Sequence, residues 1–221
     1  MKNKKIIFIS DFDGTITKQD FFHMAAERIL HRDSLQPWEE YHAGRLTHIE
    51  ALNRIFADIR LSQKEMNAFI ATIRVDRAFF AVAALCRKLK IPMQICSAGT
   101  EYYVKKRIGR TLKKYNIGIL SNGGKYSPKT GLLMIPPPPS SPFYDEDAGI
   151  SKAAFVQSFK DKGFFVIFAG DGRPDIKAAR IADKVFARDL LLELCRKEGL
   201  VAQPLKTFKD ISAYIKELKN V

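Results

Sequence analysis

Five short apolar runs limit the possible folds of this chain more than any other feature of the sequence. They are rich in Ile, Val and Phe, and most are continuously apolar instead of alternating with polar residues. Continuous apolar strands are typical of a parallel sheet that is covered on both faces. Helical repeats separate several of the runs, so the pattern predicts an α/β fold. The runs occupy residues 6–10, 93–96, 117–120, 164–169 and 185–187.

Residues 18–86 interrupt this alternation of strands and helices. Apolar residues recur there at intervals of three and four, in groups that begin at Phe22, Ile49 and Met66. This spacing is typical of amphipathic helices, and no strand pattern accompanies it. The sequence therefore predicts a helical unit at 18–86, inserted into a core domain formed by residues 1–17 and 87–221.

A second interruption covers residues 121–150. The triplet Asn122–Gly124 predicts a tight turn, and residues 126–135 predict a hairpin. The four prolines at 136–139 predict an extended polyproline segment.

The chain is strongly basic, since 37 Lys and Arg residues against 24 Asp and Glu residues give a formal net charge of +13. This charge is compatible with polyanion binding or with a solvated surface that attracts anionic substrates. A cluster of bases lies within residues 105–114, on a predicted helix whose apolar residues face inward. A solvated outer face explains that cluster at least as well as nucleic-acid binding does.

Apolar runs and cysteines indicate where such a chain resides. The clearest apolar run in the interior of the chain, residues 164–169, is far shorter than the roughly 20 residues of a membrane-spanning helix. The three cysteines, Cys86, Cys96 and Cys195, are widely spaced and form no Cys-x-x-Cys motif. We therefore expect a reduced, cytoplasmic protein with no membrane partner.

Acidic residues follow two of the predicted strands. Asp11 and Asp13 end the first run, and Asp171 and Asp175 follow the fourth. Each pair alone could be part of an ordinary turn or helix cap. If the two strands are neighbours in the sheet, however, the four carboxylates converge at its carboxyl edge. Carboxylate oxygens without His or Cys suit a hard cation, so the sequence predicts a Mg²⁺ site.

Two further segments could hold an anion. Ser97, Ala98 and Gly99 follow the second run, where small residues allow backbone N–H groups to approach an anion at a helix N-terminus. Lys152 opens another predicted helix, where its charge opposes the helix dipole unless an anion is bound nearby. A solvent-exposed lysine is the alternative explanation.

The order of these four segments resembles the haloacid dehalogenase superfamily. The shared motifs are Asp-x-Asp-Gly-Thr at residues 11–15, then Ser97, then Lys152, then Gly-Asp-x-x-x-Asp at residues 170–175. The helical insertion resembles the cap of the phosphoserine-phosphatase-type branch. The segment at 186–191, with the Cys and Arg that follow it, is similar to methionine-salvage phosphatases, which act on 2-hydroxy-3-keto-5-methylthiopentenyl-1-phosphate.

The resemblance implies a three-layer, Rossmann-like core with a C1-type helical cap and a role for each motif residue. It implies that Asp11 is the nucleophile and that Asp13 acts first as acid and then as base. Asp11, Asp13 (through its carbonyl), Asp171 and Asp175 would hold Mg²⁺. Ser97, Ala98, Gly99 and Lys152 would bind the phosphoryl oxygens. Because Ser97 and Asp171 must both reach Asp11, the first strand has to lie between the second and the fourth.

The inserted unit is expected to select the substrate. Asp20 occupies the position where phosphoserine phosphatases carry an acid that binds the substrate amine, although a helix-capping aspartate is the commoner case. Four aromatic residues there could line a pocket or belong to the core. They are Phe21, Phe22, Trp38 and Tyr41. The four histidines of the insertion fit no metal motif and are interpreted as surface or packing residues.

These observations favour a phosphatase for a small phosphorylated metabolite. Phosphoserine, nucleotides and polynucleotide ends are alternative substrates, and a phosphotransferase needs the same residues. A nucleic-acid-binding protein on the same core is the alternative from another class. Neither a zinc finger nor a basic patch interleaved with aromatic residues supports it.

Overall fold

A seven-stranded sheet forms the centre of the protein, for which a computed structural model describes residues 5–220. The strand order is β4-β3-β2-β1-β7-β8-β9, and every pair is parallel except β3 with β4. The strands are β1 (Lys5–Ser10), β2 (Met93–Thr100), β3 (Gly118–Ser127), β4 (Gly131–Ile135), β7 (Phe164–Gly170), β8 (Lys184–Ala187) and β9 (Ala202–Pro204), with β5 (Tyr144–Asp145) and β6 (Gly149–Ile150) in a separate antiparallel pair.

This order confirms the predicted α/β fold and the expected position of the first strand. β1 pairs with β2 on one side and with β7 on the other. The carboxyl ends of these three strands therefore lie side by side, at the edge where parallel sheets bind ligands.

Helices cover both faces of the sheet. They are α1 (Phe21–Arg28), α2 (Gln36–His42), α3 (His48–Phe56), α4 (Gln63–Ala71), α5 (Arg77–Lys88), α6 (Glu101–Tyr115), α7 (Lys152–Lys160), α8 (Ile176–Ala179), α9 (Asp189–Lys197) and α10 (Phe208–Lys219), with 3₁₀ turns at Arg32–Leu35 and Arg173–Asp175. Within residues 5–220, none of the helices is long and apolar enough to cross a lipid bilayer.

Alternate residues of the central strand pack into two separate hydrophobic cores. Ile6 and Phe8 belong to the larger core, whereas Ile7 and Ile9 belong to the smaller one. Because each face of β1 is covered, its four central residues, 6–9, are all apolar, as the continuous run predicted. The result is a three-layer arrangement of helices, sheet and helices.

Helices α1 to α4 lie between two chain segments that run side by side. Thr17 and Val75 form an antiparallel bridge, and the Lys18 amide donates to the Arg74 carbonyl at 2.9 Å. The chain thus leaves the core and returns to it at one place, which we call the hinge (residues 16–18 and 74–76).

The prediction of a tight turn at Asn122–Gly124 is wrong, because these residues continue β3. Gly123 and Gly124 pair with Ile135 and Met134 of β4, and the turn of this hairpin lies at residues 128–130 instead. Glycine at 124 reflects close packing, since a Cβ there would lie 2.0 Å from the Thr100 hydroxyl. The predicted hairpin itself is confirmed, and residues 136–138 have no regular secondary structure.

Candidate active site

The carboxyl edge of the sheet opens into a cavity of about 530 Å³ between the core and helices α1 to α3. Every residue that the sequence singled out for chemistry lines it. These residues are Asp11, Asp13, Asp20, Ser97, Ala98, Gly99, Lys152, Asp171 and Asp175. Segments that are up to 164 residues apart in sequence therefore meet in one place (175 − 11).

Three carboxylates and one lysine form the floor of the cavity. Oxygens of Asp11, Asp171 and Asp175 lie within 4.8 Å of one another. The Lys152 Nζ lies 2.7 Å from Asp11 Oδ1 and 2.6 Å from Asp175 Oδ1, and its side chain is only 3% exposed. Lys152 is therefore a buried ion-pair partner, which excludes the alternative of a solvent-exposed lysine.

Loop hydrogen bonds fix the two acids that follow β7. Asp175 Oδ2 accepts from the amides of Asp171 and Gly172, both at 3.0 Å, so the two oxygens of Asp175 are already engaged. Thr15 donates to Asp171 Oδ1 at 2.6 Å. Gly14 has a φ of +72°, and a Cβ there would lie 2.2 Å from the Asp171 carboxylate. Only glycine at position 14 allows the loop after β1 to approach the loop after β7 this closely.

The three carboxylates of the floor are buried close together and share one cation, Lys152, so negative charge is in excess there. Burial raises the pKa of Asp11 to about 6, although Lys152 opposes the shift. Burial, followed by the charges of Asp11 and Asp175, raises the pKa of Asp171 to about 9. Burial by itself would lower the pKa of Lys152, but the neighbouring carboxylates hold it above its usual value. An oxygen-only donor set with excess negative charge fits a Mg²⁺ ion.

Asp13 points away from this cluster, toward the helical unit. Its Oδ1 accepts from the Phe21 amide at 3.1 Å, and its Oδ2 accepts a hydrogen bond from the Tyr103 hydroxyl. The Tyr103 ring in turn stacks on Phe21, with centroids 4.3 Å apart. Burial, and then the charge of Asp20, raise the pKa of Asp13 well above its ordinary value. Asp13 thus has a fixed orientation and a preference for its protonated form.

The β2–β3 ladder is interrupted near the carboxyl end of β2, where Ser97 and Ala98 are buried. The pairing register shifts between Ser97 and Thr100, so Ala98 and Gly99 lie outside the ladder, at the start of α6. The Gly99 amide donates to the Ser97 hydroxyl at 3.1 Å, and Asn122 holds the Ala98 carbonyl at 2.8 Å. The bulge turns this loop into the cavity, next to Lys152.

The other end of the cavity is aromatic. The Trp38 ring centroid lies 4.5 Å from that of Phe22, 5.1 Å from that of Tyr41 and 5.7 Å from that of His48. The Nδ1 atom of His48 is buried and has no hydrogen-bond partner within residues 5–220, and burial lowers the pKa of this histidine. We call Phe22, Trp38, Tyr41 and His48 the aromatic wall.

Asp20 has the helix-capping role that the sequence offered as the commoner case, and its contact with a substrate stays a prediction. It caps α1 by accepting from the Phe22 amide at 2.6 Å, and it also lines the cavity. Of the aromatic residues considered, Phe22, Trp38 and Tyr41 line the cavity, whereas Phe21 is buried against Phe56 and Tyr103.

Sequence reasoning missed several residues of the site. The histidines were interpreted as surface or packing residues; His48 does pack against Trp38, but His23, His42 and His48 also line the cavity. Tyr103 and Thr15 were not considered. The available signal for Thr15 was its place in the Asp-x-Asp-Gly-Thr motif, whereas Tyr103 has no local signal.

The sheet order and the grouping of these segments define an α/β fold of the haloacid dehalogenase type with a helical insertion. Solved structures agree with this assignment. A substrate-bound phosphoserine phosphatase superposes with a TM-score of 0.68 at 16% identity, covering 96% of this chain and 99% of the other. Phosphoserine phosphatase from T. onnurineus gives 0.64 at 18% identity, covering 99% and 96%. A haloacid-dehalogenase-family hydrolase from Salmonella enterica serovar Typhi gives 0.67 at 16% identity, covering 92% and 68%.

The proteins of similar sequence that we compared carry the name of one particular phosphatase. A 2-hydroxy-3-keto-5-methylthiopentenyl-1-phosphate phosphatase from Bacillus pumilus is 26% identical over 220 residues, covering 99% of this chain and 94% of that protein. The phosphatase of the same name from Bacillus thuringiensis is 25% identical, covering 96% of both. No protein-family model matches the chain. The predicted resemblance and the enzyme class, a phosphatase, are thereby confirmed.

Proposed function

We propose that this protein hydrolyses the phosphate monoester of a small metabolite in a Mg²⁺-dependent reaction through an aspartyl-phosphate intermediate. The observation that carries the proposal is the floor of the cavity. Three carboxylates lie within 4.8 Å of one another there, and a buried lysine contacts the one at the end of the central strand. This arrangement presents a nucleophile, a cation site and an anion partner at a single point.

In the first displacement, an oxygen of the Asp11 carboxylate forms a bond to phosphorus while the ester P–O bond breaks. Asp13 gives its proton to the departing alkoxide. In the second displacement, Asp13 takes a proton from a water molecule whose oxygen attacks phosphorus. The bond between Asp11 and phosphorus breaks, which releases phosphate and restores the carboxylate.

The remaining residues hold the phosphoryl group. Ser97, the amides of Ala98 and Gly99, and the Lys152 ammonium would bind its oxygens and stabilise the charge that they carry in the transition state. Asp11, Asp171, Asp175 and the Asp13 carbonyl would hold Mg²⁺. When bound, this ion would allow an anionic phosphate to approach an anionic carboxylate.

We propose an uncharged organic group for the substrate, as in 2-hydroxy-3-keto-5-methylthiopentenyl-1-phosphate. The similarity to the Bacillus phosphatases supports this choice. So does the cavity, because between residues 19 and 72 none of the described residues that line it is Lys or Arg. A substrate carboxylate, as in phosphoserine, would depend on Lys18 or Arg173, two cations of the cavity lining that lie outside helices α1 to α4. The aromatic wall suits an apolar chain or a thioether.

The helical unit of the substrate site is proposed to be shorter than the sequence predicted. α5 packs on α10 of the core, where the Phe79 and Phe208 rings lie 5.6 Å apart and Asp76 accepts from the Phe208 amide at 3.0 Å. The hinge is then the boundary between the core and the helical unit, and we call helices α1 to α4 the cap.

A reducing, cytoplasmic location also remains a proposal. It is supported by the cysteines, since Cys86, Cys96 and Cys195 are all free and buried. Burial raises the pKa of the Cys86 thiol to about 12, which keeps it in the unreactive form.

The test is a measurement of phosphate release with Mg²⁺ and with EDTA. The substrates are 2-hydroxy-3-keto-5-methylthiopentenyl-1-phosphate, phosphoserine, a sugar phosphate and a nucleoside monophosphate. We expect Mg²⁺-dependent release, with the highest kcat/KM for the methylthio compound. Undiminished release in EDTA would contradict the proposed metal dependence. A preference for phosphoserine would contradict the substrate assignment but not the chemistry.

The intermediate is tested separately by stopping the reaction in acid and digesting the protein. Mass spectrometry should find one phosphoryl group on the peptide that contains Asp11, and hydroxylamine should remove it. A phosphoryl group on a different residue would exclude Asp11 as the nucleophile.

A further inference from the structure

The hinge borders a second cavity, of about 660 Å³, whose lining is dominated by positive charge. Six of its lining residues are cationic: Lys18, Arg74, Arg77, Arg107, Arg188 and Lys206. We call it the hinge cavity. Its volume falls in the roughly 300–1,000 Å³ range of small-molecule sites. It shares only Lys18 with the lining of the active-site cavity, so it is a separate place on the molecule.

These six cations lack carboxylate partners. Among the described residues, the ion pairs of the protein involve other cations and leave all six unpaired. The one acidic residue in the lining, Asp76, is engaged elsewhere, since it accepts from the Ala78 amide at 2.8 Å and from the Phe208 amide at 3.0 Å. Asp76 thus satisfies the N-termini of α5 and α10 and has little capacity left for the surrounding bases.

The position of the bases makes their charge still less favourable. Arg77 is the first residue of α5, and Lys206 lies two residues before α10. Positive charge at the N-terminus of a helix opposes the helix dipole. An anion in the hinge cavity would offset this penalty, because it would add negative charge near these two cations, beside the single Asp76 carboxylate that caps both helices.

Two of the arginines donate to backbone carbonyls beside the cavity, and for Arg188 the donor is Nη2, which lies 3.4 Å from the Lys206 carbonyl oxygen. Arg107 Nε donates to the Ile73 carbonyl at 2.7 Å. The Nε atom of Arg188 is buried and has no hydrogen-bond partner among the described residues. A buried guanidinium N–H without an acceptor is costly, and a bound oxyanion is the simplest acceptor.

We propose that the hinge cavity binds a compact anion with two or more phosphate groups, such as an inorganic polyphosphate or the phosphate chain of a nucleotide. The number of unpaired cations exceeds what a single phosphate would neutralise. The cations come from both hinge segments and from four parts of the core: the start of α5, α6, the residue before α9 and the loop before α10. The ligand would therefore fasten the hinge to the core. This binding does not depend on the proposed function of the first cavity.

The test is titration calorimetry with inorganic tripolyphosphate in Mg²⁺-free buffer at physiological ionic strength. Arg74 and Lys206 are exposed, so the R74Q/K206Q variant should fold normally, which thermal unfolding would check. The matched control is K113Q/K114Q, which removes two charges from exposed positions of α6 outside the cavity lining. We expect saturable binding to the unaltered protein, at least a tenfold loss in R74Q/K206Q and less than a twofold loss in the control.

Hydrogen–deuterium exchange locates the ligand. Tripolyphosphate should slow exchange in residues 72–77 and leave residues 97–100 unchanged. Protection confined to residues 97–100 would place the anion in the first cavity and overturn the proposal. Equal losses in both variants, or tighter binding of a single-stranded oligonucleotide than of tripolyphosphate, would also overturn it. The first result would indicate general charge attraction and the second a nucleic-acid surface.

Discussion

The two ends of the active-site cavity are built in opposite ways. At the core end, charged side chains are fixed by one another, as where Lys152 bridges Asp11 and Asp175 at 2.7 and 2.6 Å. At the cap end, rings pack around Trp38, and the Nδ1 atom of His48 has no hydrogen-bond partner among the described residues. We therefore expect the core end to bind the phosphoryl group of any substrate, and the cap end, where Asp20 and Glu27 accompany the rings, to distinguish the organic groups. We infer that reaction and substrate choice reside in separate parts of the chain.

The strongest test of this difference between the two ends is a substitution at the core end. Replacing Asp11 with Asn keeps the shape of the side chain but removes the nucleophilic oxygen and one negative charge. We expect kcat to fall by about 10⁴-fold or more for every substrate, because covalent catalysis is lost entirely. Steady-state phosphate release measures the loss.

The control for this variant is D58N, which makes the same chemical change at an exposed cap residue. It should leave kcat within a factor of two. If D11N lost activity toward one substrate and kept it toward another, the core end would not be common to all substrates, and the separation of roles would fail.

Folding stability offers the second test. Lys152→Met leaves Asp11 and Asp175 buried without their cation, so the free energy of unfolding should fall by about 3–5 kcal/mol. Lys160→Met breaks an ion pair with Asp183 in which both side chains are about a quarter exposed, at 28% and 23%. That change should cost only about 0–1 kcal/mol.

Urea unfolding of both variants measures this difference. In a K152M/D175N double variant, one of the unpaired charges is removed, so part of the stability should return. Similar losses in the two single variants would show that the floor of the cavity is solvated like the surface, and that its charges do not fix one another.

The residues of the core end could be predicted because the motifs that identify them lie within short stretches of sequence. Asp11 and Asp171 each follow an apolar strand, and chain topology alone brings parallel strand ends to one edge. The one demanding condition, that β1 lies between β2 and β7, is met. By contrast, the three-residue strand β9, which contains Pro204, carries too little pattern to be recognised.

Contacts between elements could not be predicted in the same way. The partner of Asp13, Tyr103, lies 90 residues away and reaches it only because of the direction of α6. Trp38 and His48 meet through the packing of α2 against α3. Asn122–Gly124 has the composition of a turn, yet pairing with β4 overrides that local preference.

A smaller effect is expected where the two ends meet. Tyr103→Phe removes the hydroxyl that holds Asp13 but keeps the ring that stacks on Phe21. The hydroxyl would stabilise the carboxylate that forms as Asp13 gives up its proton. Because a hydrogen bond to a charged group contributes about 1.5–3 kcal/mol, kcat should fall by roughly 10- to 100-fold with little change in KM. Tyr115→Phe, on the same helix, is the matched control and should have no effect. A change in KM alone would mean that Tyr103 contacts the substrate and does not position the acid.

The smallest effect is expected at the aromatic wall, and it should depend on the substrate. Trp38→Ala removes the ring that joins Phe22, Tyr41 and His48. For 2-hydroxy-3-keto-5-methylthiopentenyl-1-phosphate we expect kcat/KM to fall by about tenfold, close to what one lost apolar contact costs in a specificity pocket. For a substrate too short to reach the wall, such as glycerol 2-phosphate, kcat/KM should change less than twofold. The same loss for both substrates would mean that Trp38 supports the whole cavity, and the cap end could then no longer be regarded as independent of the chemistry.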